Sequence, residues 1–227
     1  MTPLVLVPGM MCDARMWGGI ERDFGVPVLH HLPIQAETMS TLAALFLADA
    51  PPRFALAGLS LGGILAMEIL RQAPDRVERL ALLDTNPMAE TPEAQARRAP
   101  QIARALAGDL DGVMREDMKP NYLSPGPGQA AILDLCMDMA LALGPPVFAR
   151  QSIALRDRAD QQATLAAYKG PALVLMGAND RLCPLDRHQL MHRLMPQSQF
   201  HLISGAAHLP PLEQPAATAR AMRDWLA

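Results

Sequence analysis

Ser60 stands in Gly58-Leu59-Ser60-Leu61-Gly62-Gly63, between an apolar run ending at Leu59 and an apolar helical pattern beginning at Leu61. A strand that turns at once into a helix strains the backbone of the residue at the corner. Glycines on both sides lack Cβ atoms and let neighbouring chain come close. Ser60 is therefore expected to project alone above the edge of a sheet. The helix starting at Leu61 aims unpaired N–H groups and its positive dipole end at the same place, which suits a developing oxyanion. The plainer alternative is a glycine-rich turn with a serine capping a helix. The strand before and the helix after favour a nucleophile. A phosphate loop is disfavoured, because neither G-x-G-x-x-G nor a P-loop Lys-Ser/Thr is present.

A serine hydroxyl needs a base, and an imidazole base needs an acceptor that fixes its tautomer. Six histidines compete. His30 and His31 end an apolar run, where packing or solvation explains them. His188 and His192 are spaced i, i+4 on a helix, as two metal ligands would be. However, Gln189 occupies the glutamate position of H-E-x-x-H and no third ligand is evident, so zinc is disfavoured. His201 lies inside a strand pattern. His208 sits in Ser204-Gly205-Ala206-Ala207-His208-Leu209-Pro210, where small residues before it and prolines after it can hold the ring still. The favoured acid is Asp180, in Gly177-Ala178-Asn179-Asp180-Arg181 after an apolar run; Asp84 is its rival.

These residues need elements to hold them. The apolar run Leu4–Val7 reads as a strand covered on both faces, and Val26–Leu32, Arg53–Leu59, Val77–Leu83, Ala172–Met176 and Gln199–Ile203 are further strand candidates. Helical patterns at Thr38–Ala50, Leu61–Gln72, Pro184–Leu194 and Pro215–Leu226 alternate with them. Such alternation predicts an α/β fold with a mostly parallel sheet of about six strands and helices on both faces. Ser60, Asp180 and His208 then follow the third, fifth and sixth strands, at one sheet edge. Residues 87–169 lack β-branched runs and are too long for a bare loop, so they read as a helical cap. Breaks are expected at Pro100, Gly108, Pro120, Ser124 to Gly128 and Gly144 to Pro146. The domain reading is thus a core of residues 1–86 and 170–227 with a cap of residues 87–169.

Composition excludes several classes. The 227 residues carry a formal charge of −3 and no long basic run, which argues against nucleic acid as a partner. No apolar stretch approaches the roughly 18 residues that span a bilayer, and the start lacks a positive n-region; no membrane role and a cytoplasmic location are expected. Cys12, Cys136 and Cys183 are odd in number and widely spaced, which predicts reduced thiols. Cys183 reads as a small filler.

With those segments in hand, the chain resembles the α/β-hydrolase superfamily from Leu4 to Leu226, as a compact bacterial esterase-like member with a helical cap. The elbow Gly58 to Gly62, the Asn179-Asp180 turn and Ala207-His208-Leu209-Pro210 match that family's catalytic segments, in the chain order serine, acid, histidine. There are departures. The usual first hairpin is missing, Pro8-Gly9 replaces a His-Gly pair, and Ala207 replaces a glycine. The resemblance implies that backbone N–H groups of Met10 and Leu61 form an oxyanion hole, with Met11 a neighbouring choice for the first donor. It implies a serine hydrolase of small or medium acyl esters, with Ser60 as nucleophile, His208 as base and Asp180 as its orienting acid, and with no metal or organic cofactor. Met11, Tyr122 and Phe148 are candidate substrate contacts. Fifteen methionines against nine aromatics suggest a pliable apolar pocket. Arg97, Arg98 and Arg150 could meet a substrate carboxylate or face water, and water is the favoured reading. The same residues also serve lyases and C–C bond hydrolases, and a signalling receptor that retains the triad to hold a small ligand is a further alternative.

Overall fold

The computed structural model describes residues 1–119, 122–126 and 128–227. Six strands form one sheet: β1 (Leu4–Val7), β2 (Val28–His30), β3 (Phe54–Leu59), β4 (Val77–Leu83), β5 (Ala172–Gly177) and β6 (Gln199–Ile203). Their order is β2-β1-β3-β4-β5-β6, and every neighbouring pair is parallel. All strands therefore present their carboxyl ends to one edge. The helices are α1 (Met39–Asp49), α2 (Leu61–Gln72), α3 (Pro92–Arg104), α4 (Leu110–Gly112), α5 (Gln129–Leu143), α6 (Pro145–Arg156), α7 (Gln162–Ala167), α8 (Leu185–Leu194), α9 (Pro210–Glu213) and α10 (Pro215–Leu226).

β1, β3 and β5 are buried at every position, which is why they read as unbroken apolar runs rather than alternating ones. The alternation is nonetheless present in three dimensions. Val5, Val7, Leu56, Leu80, Leu82 and Val174 face one layer, where α1, α2 and Met191 of α8 cover them. Leu4, Leu6, Ala55, Ala57, Leu59, Leu173 and Leu175 face the other, under Trp17, Met222 and Trp225. Period-two side chains between two helical layers give the sheet a dry face on each side. β2 forms only its middle, shorter than the expected Val26–Leu32. It pairs on one side alone, at the sheet edge, and Pro27 and Pro33 bracket it.

Among the described residues, the segment between β4 and β5 contains helices and no strand. Thr91 caps α3 by accepting from the Ala94 N–H at 3.3 Å, and Pro92 occupies its first turn. The expected break at Pro100 does not occur: α3 runs through it to Arg104. Pro100 and Ala96 both lie on the exposed side, so water can take the Ala96 carbonyl that the missing N–H leaves free. Gly108 (φ 98°) kinks the chain and Gly144 (φ 78°) separates α5 from α6, as their freedom at positive φ allows. The Pro120 break and Pro127 within Gly126-Pro127-Gly128 lie outside the described residues. Met114, Met137, Val147, Phe148 and Leu155 of this segment pack in the same apolar layer as α1 and α2. The segment is thus bonded to the sheet layers by shared burial. No single helix among the described residues is long and apolar enough to cross a membrane.

Trp225 is 1 % exposed and closes the second layer at the C-terminus. Trp225→Ala is expected to lower unfolding free energy by about 3–5 kcal/mol, through lost burial and a residual cavity. Urea titration followed by circular dichroism measures it.

Candidate active site

The corner between β3 and α2 is built by exclusion of side chains. A Cβ on Gly58 would meet the Gly62 carbonyl, and a Cβ on Gly62 would meet the Val7 carbonyl. Glycine at both places lets α2 begin directly at the end of β3 and pass against β1. Ser60 takes up the turn at φ 56°, ψ −117°. Its N–H donates to the Leu83 carbonyl at 2.9 Å, and Thr85 Oγ1 donates to its carbonyl at 2.7 Å. Met11 (φ 55°), Ser60 and Asp84 (φ 42°) are the non-glycine residues at positive φ among those described. They follow β1, β3 and β4, so backbone strain, of order 1–3 kcal/mol each, gathers at one sheet edge.

His208 reaches Ser60 from the loop after β6. Its Nε2 lies 3.0 Å from Ser60 Oγ, and its Nδ1 lies 2.9 Å from Asp180 Oδ2. With Asp180 ionised, Nδ1–H donates to the carboxylate and Nε2 is left to accept from the serine hydroxyl. Asp180 Oδ1 accepts from the Leu182 and Cys183 N–H groups at 2.8 and 3.1 Å. Burial pushes the Asp180 pKa up, but His208 and those two donors outweigh it and hold the carboxyl below its usual value. The His208 loop is fixed from both sides. Its N–H donates to the Tyr122 carbonyl at 2.9 Å. Glu213 Oε1 accepts from the Ala207 and Leu209 N–H groups at 2.9 and 3.0 Å, and Oε2 from Ser124 N–H at 2.8 Å.

Asp84 does not partner His208. It is fully buried, and its Oδ1 accepts from the Gly177 N–H at 2.8 Å, joining β4 to β5. Burial, with the Asp180 charge beside it, pushes its pKa well up and favours the neutral acid. His188 and His192 have separate partners. His188 is fully buried; its Nε2 accepts from the Thr85 N–H at 3.3 Å, which leaves Nδ1–H to donate to the Pro184 carbonyl at 3.3 Å. Burial lowers its pKa to about 4, so it sits neutral behind the corner. His192 Nδ1 lies 2.8 Å from Ser198 Oγ. The ligand atoms of Asp180, Cys183 and His208 lie within 4.8 Å of one another. Both His208 nitrogens are already engaged by Asp180 and Ser60, so this cluster has the chemistry of a proton relay rather than of a metal centre.

A cavity of about 440 Å³ opens over Ser60 and His208, and Met10 and Tyr122 line it. The N–H groups of Met10 and Leu61 make no hydrogen bond among the described residues. Two expected contacts fall elsewhere. Met11 is 1 % exposed, and its N–H donates to Gln151 Oε1 at 2.9 Å, so that donor is already spent. Phe148 is fully buried in the apolar layer beneath, away from the cavity lining. Cys183, expected as filler, lines the cavity; burial pushes its thiol pKa well up, which keeps it a poor nucleophile. Arg97 and Arg98, expected to face water, also line the cavity.

Sequence reasoning missed Gln151 and Glu213. Gln151 is fully buried and bridges Met11 N–H to the Pro33 carbonyl, which accepts from Nε2 at 3.0 Å. A glutamine inside an apolar helix is the signal that was available. Gln151→Ala orphans both groups and is expected to cost about 1–3 kcal/mol, measurable by urea titration. Asp84 gives a paired test. Asp84→Asn keeps a neutral acceptor for Gly177 at a φ that asparagine tolerates, and its stability is expected within about 1 kcal/mol of the parent. Asp84→Ala, which orphans that N–H, is expected to cost about 1–3 kcal/mol in the same titration.

Comparison with known proteins agrees with this architecture. A family model described as the alpha/beta hydrolase family matches residues 4–221. The malate-bound structure of a thermophilic esterase from Thermogutta terrifontis superposes with a TM-score of 0.89 at 29 % identity, over 100 % of this chain and 89 % of that one. An enol-lactonase from Burkholderia xenovorans has a TM-score of 0.88 over 99 % and 91 %, but at 20 % identity it speaks for the fold alone. A pimeloyl-[acyl-carrier protein] methyl ester esterase of Chromobacterium violaceum is 27 % identical over 192 residues, 82 % of this chain and 74 % of its own. A match over nearly the whole length, on a parallel sheet with a serine corner at its carboxyl edge, places the chain in the α/β hydrolase family.

Proposed function

We propose that the chain is a serine carboxylesterase acting on small or medium acyl esters. The observation that carries the reading is the hydrogen-bonded relay from Ser60 Oγ to His208 Nε2 at 3.0 Å, and from His208 Nδ1 to Asp180 Oδ2 at 2.9 Å. In this reading Ser60 Oγ attacks the acyl carbonyl as its proton passes to His208 Nε2. The imidazolium, steadied by Asp180, then protonates the leaving alkoxide. A water activated by His208 releases the acid and restores Ser60. The N–H groups of Met10 and Leu61 are the proposed oxyanion donors, each worth roughly 3–4 kcal/mol in the transition state. No step calls on a metal or organic cofactor.

Met10, Ile64, Met118, Tyr122 and Leu155 give the cavity apolar walls for an acyl chain. The Chromobacterium violaceum and Thermogutta terrifontis relatives, both esterases by name, support ester cleavage for this chain. Residues 1–86 and 170–227 serve in this reading as the catalytic core, and residues 87–169 as the cap that shapes acyl selectivity. Tyr122 is its proposed contact next to the base, with its ring 5.8 Å from that of His208.

Hydrolysis of p-nitrophenyl esters of graded chain length tests the reading. Ser60→Ala is expected to lower kcat by roughly 10⁴–10⁶-fold with the fold intact. Asp180→Asn is expected to lower it by about 10⁴-fold, since an amide no longer holds the imidazole in the right tautomer. Turnover unchanged in Ser60→Ala would refute the assignment.

A further inference from the structure

The cavity over Ser60 is cationic. Arg97, Arg98, Arg158 and Arg187 line it against two carboxylates, Glu90 and Asp117, while the whole chain is net negative at −3. Asp117 is turned to Arg104, at 3.4 Å. Glu90 alone therefore answers the inner arginines. Its Oε1 lies 2.8 Å from Arg98 Nη2 and 2.9 Å from Arg158 Nη1, with side chains of the three residues 6 %, 14 % and 9 % exposed. Two guanidinium groups share one carboxylate in a nearly closed space, and one positive charge remains unanswered.

A structural role for the trio is evident: Arg158 also donates to the Met88 carbonyl at 2.9 Å and ties the ends of the cap segment together. That role needs one arginine, not two. Arg98 spends Nε and Nη2 on Glu90, at 3.1 and 2.8 Å, and leaves Nη1 against the thioether of Met10 at 3.7 Å, a weak acceptor. Met10 is the residue whose N–H is the proposed oxyanion donor. The unanswered donor thus lies on the cavity wall, separated from that N–H by the Met10 side chain. Arg97 adds a charge at the exposed rim, and a cleft of one sign concentrates ligands of the other.

We propose that the cavity selects esters bearing a carboxylate remote from the scissile bond, with Arg98 as the specificity-determining residue and Arg97 assisting at the rim. The inference rests on the serine-esterase reading and narrows its substrate class. A carboxylate fits because a guanidinium presents planar N–H pairs that match it. Its arrival neutralises the surplus charge without breaking the Glu90 pairs.

The test compares mono-p-nitrophenyl adipate with p-nitrophenyl hexanoate, which match in acyl length and differ by the terminal carboxylate. The unmodified protein is expected to prefer the adipate by at least about tenfold in kcat/KM, chiefly through KM, as a charge-assisted hydrogen bond implies. Arg98→Gln is expected to bring that ratio close to one. Should Arg98→Gln loosen the fold, the unmodified protein decides: adipate is expected to inhibit competitively and neutral adipamide is not. A ratio at or below one, a preference that survives Arg98→Gln, or equal inhibition by adipate and adipamide would overturn the proposal. Hydrolysis of the hexanoate without preference removes the anion site and leaves the esterase reading standing. Absence of all turnover removes the esterase reading, and calorimetric binding of adipate against adipamide then still decides the anion site.

Discussion

An imidazole serves two neighbours in sequence only when both ring nitrogens are held in line. In this chain the partners of His208 come from loops far apart: Asp180 follows β5 and Ser60 follows β3. A parallel sheet solves the meeting problem, because every strand delivers its next residue to the same edge. What the sheet cannot supply is the last ångström of aim. That comes from Glu213, which grips the N–H groups on either side of His208, and from the Tyr122 carbonyl, which holds the His208 N–H itself. Two backbone donors similarly fix Asp180.

The edge where these groups meet is also where local stability is given up. Met11, Ser60 and Asp84 hold positive φ there, and Asp84, Asp180 and His188 are titratable groups kept from water. Each is offset by a specific neighbour. Gln151 fastens Met11, Thr85 and Leu83 fasten Ser60, and Gly177 fastens Asp84. His188 accepts from the Thr85 backbone while the Thr85 hydroxyl binds the Ser60 carbonyl, so one threonine links a neutral core histidine to the Ser60 corner. The polar groups behind the edge form a scaffold for the corner, and the apolar layers on both faces of the sheet keep that scaffold dry.

Much of this was legible from residue types alone. The unbroken apolar run of β1 announces a sheet covered on both faces, and the bounds expected for β1, β4 and β6 agree with the strands formed. The serine corner is legible because glycine at 58 and 62 has a steric reason that no other residue satisfies. What the braces bind was not legible. Gln151 and Glu213 act on backbone N–H groups, and a backbone donor leaves no mark in the sequence that would identify its acceptor. Pro100 misled for a related reason: proline costs a helix less where the freed carbonyl can turn to water, and that depends on which face is exposed. The roles of Met11 and Phe148 were equally hidden, since an apolar side chain packs into a core layer as readily as it lines a cavity.

The most direct test of the central claim is the site of covalent capture. The protein is treated with a fluorophosphonate near neutral pH, and the adduct is located by peptide mass spectrometry. An activated serine held by a base predicts one adduct per chain, on the peptide carrying Ser60. A chain that remains unlabelled, or an adduct on any other residue, would contradict the account.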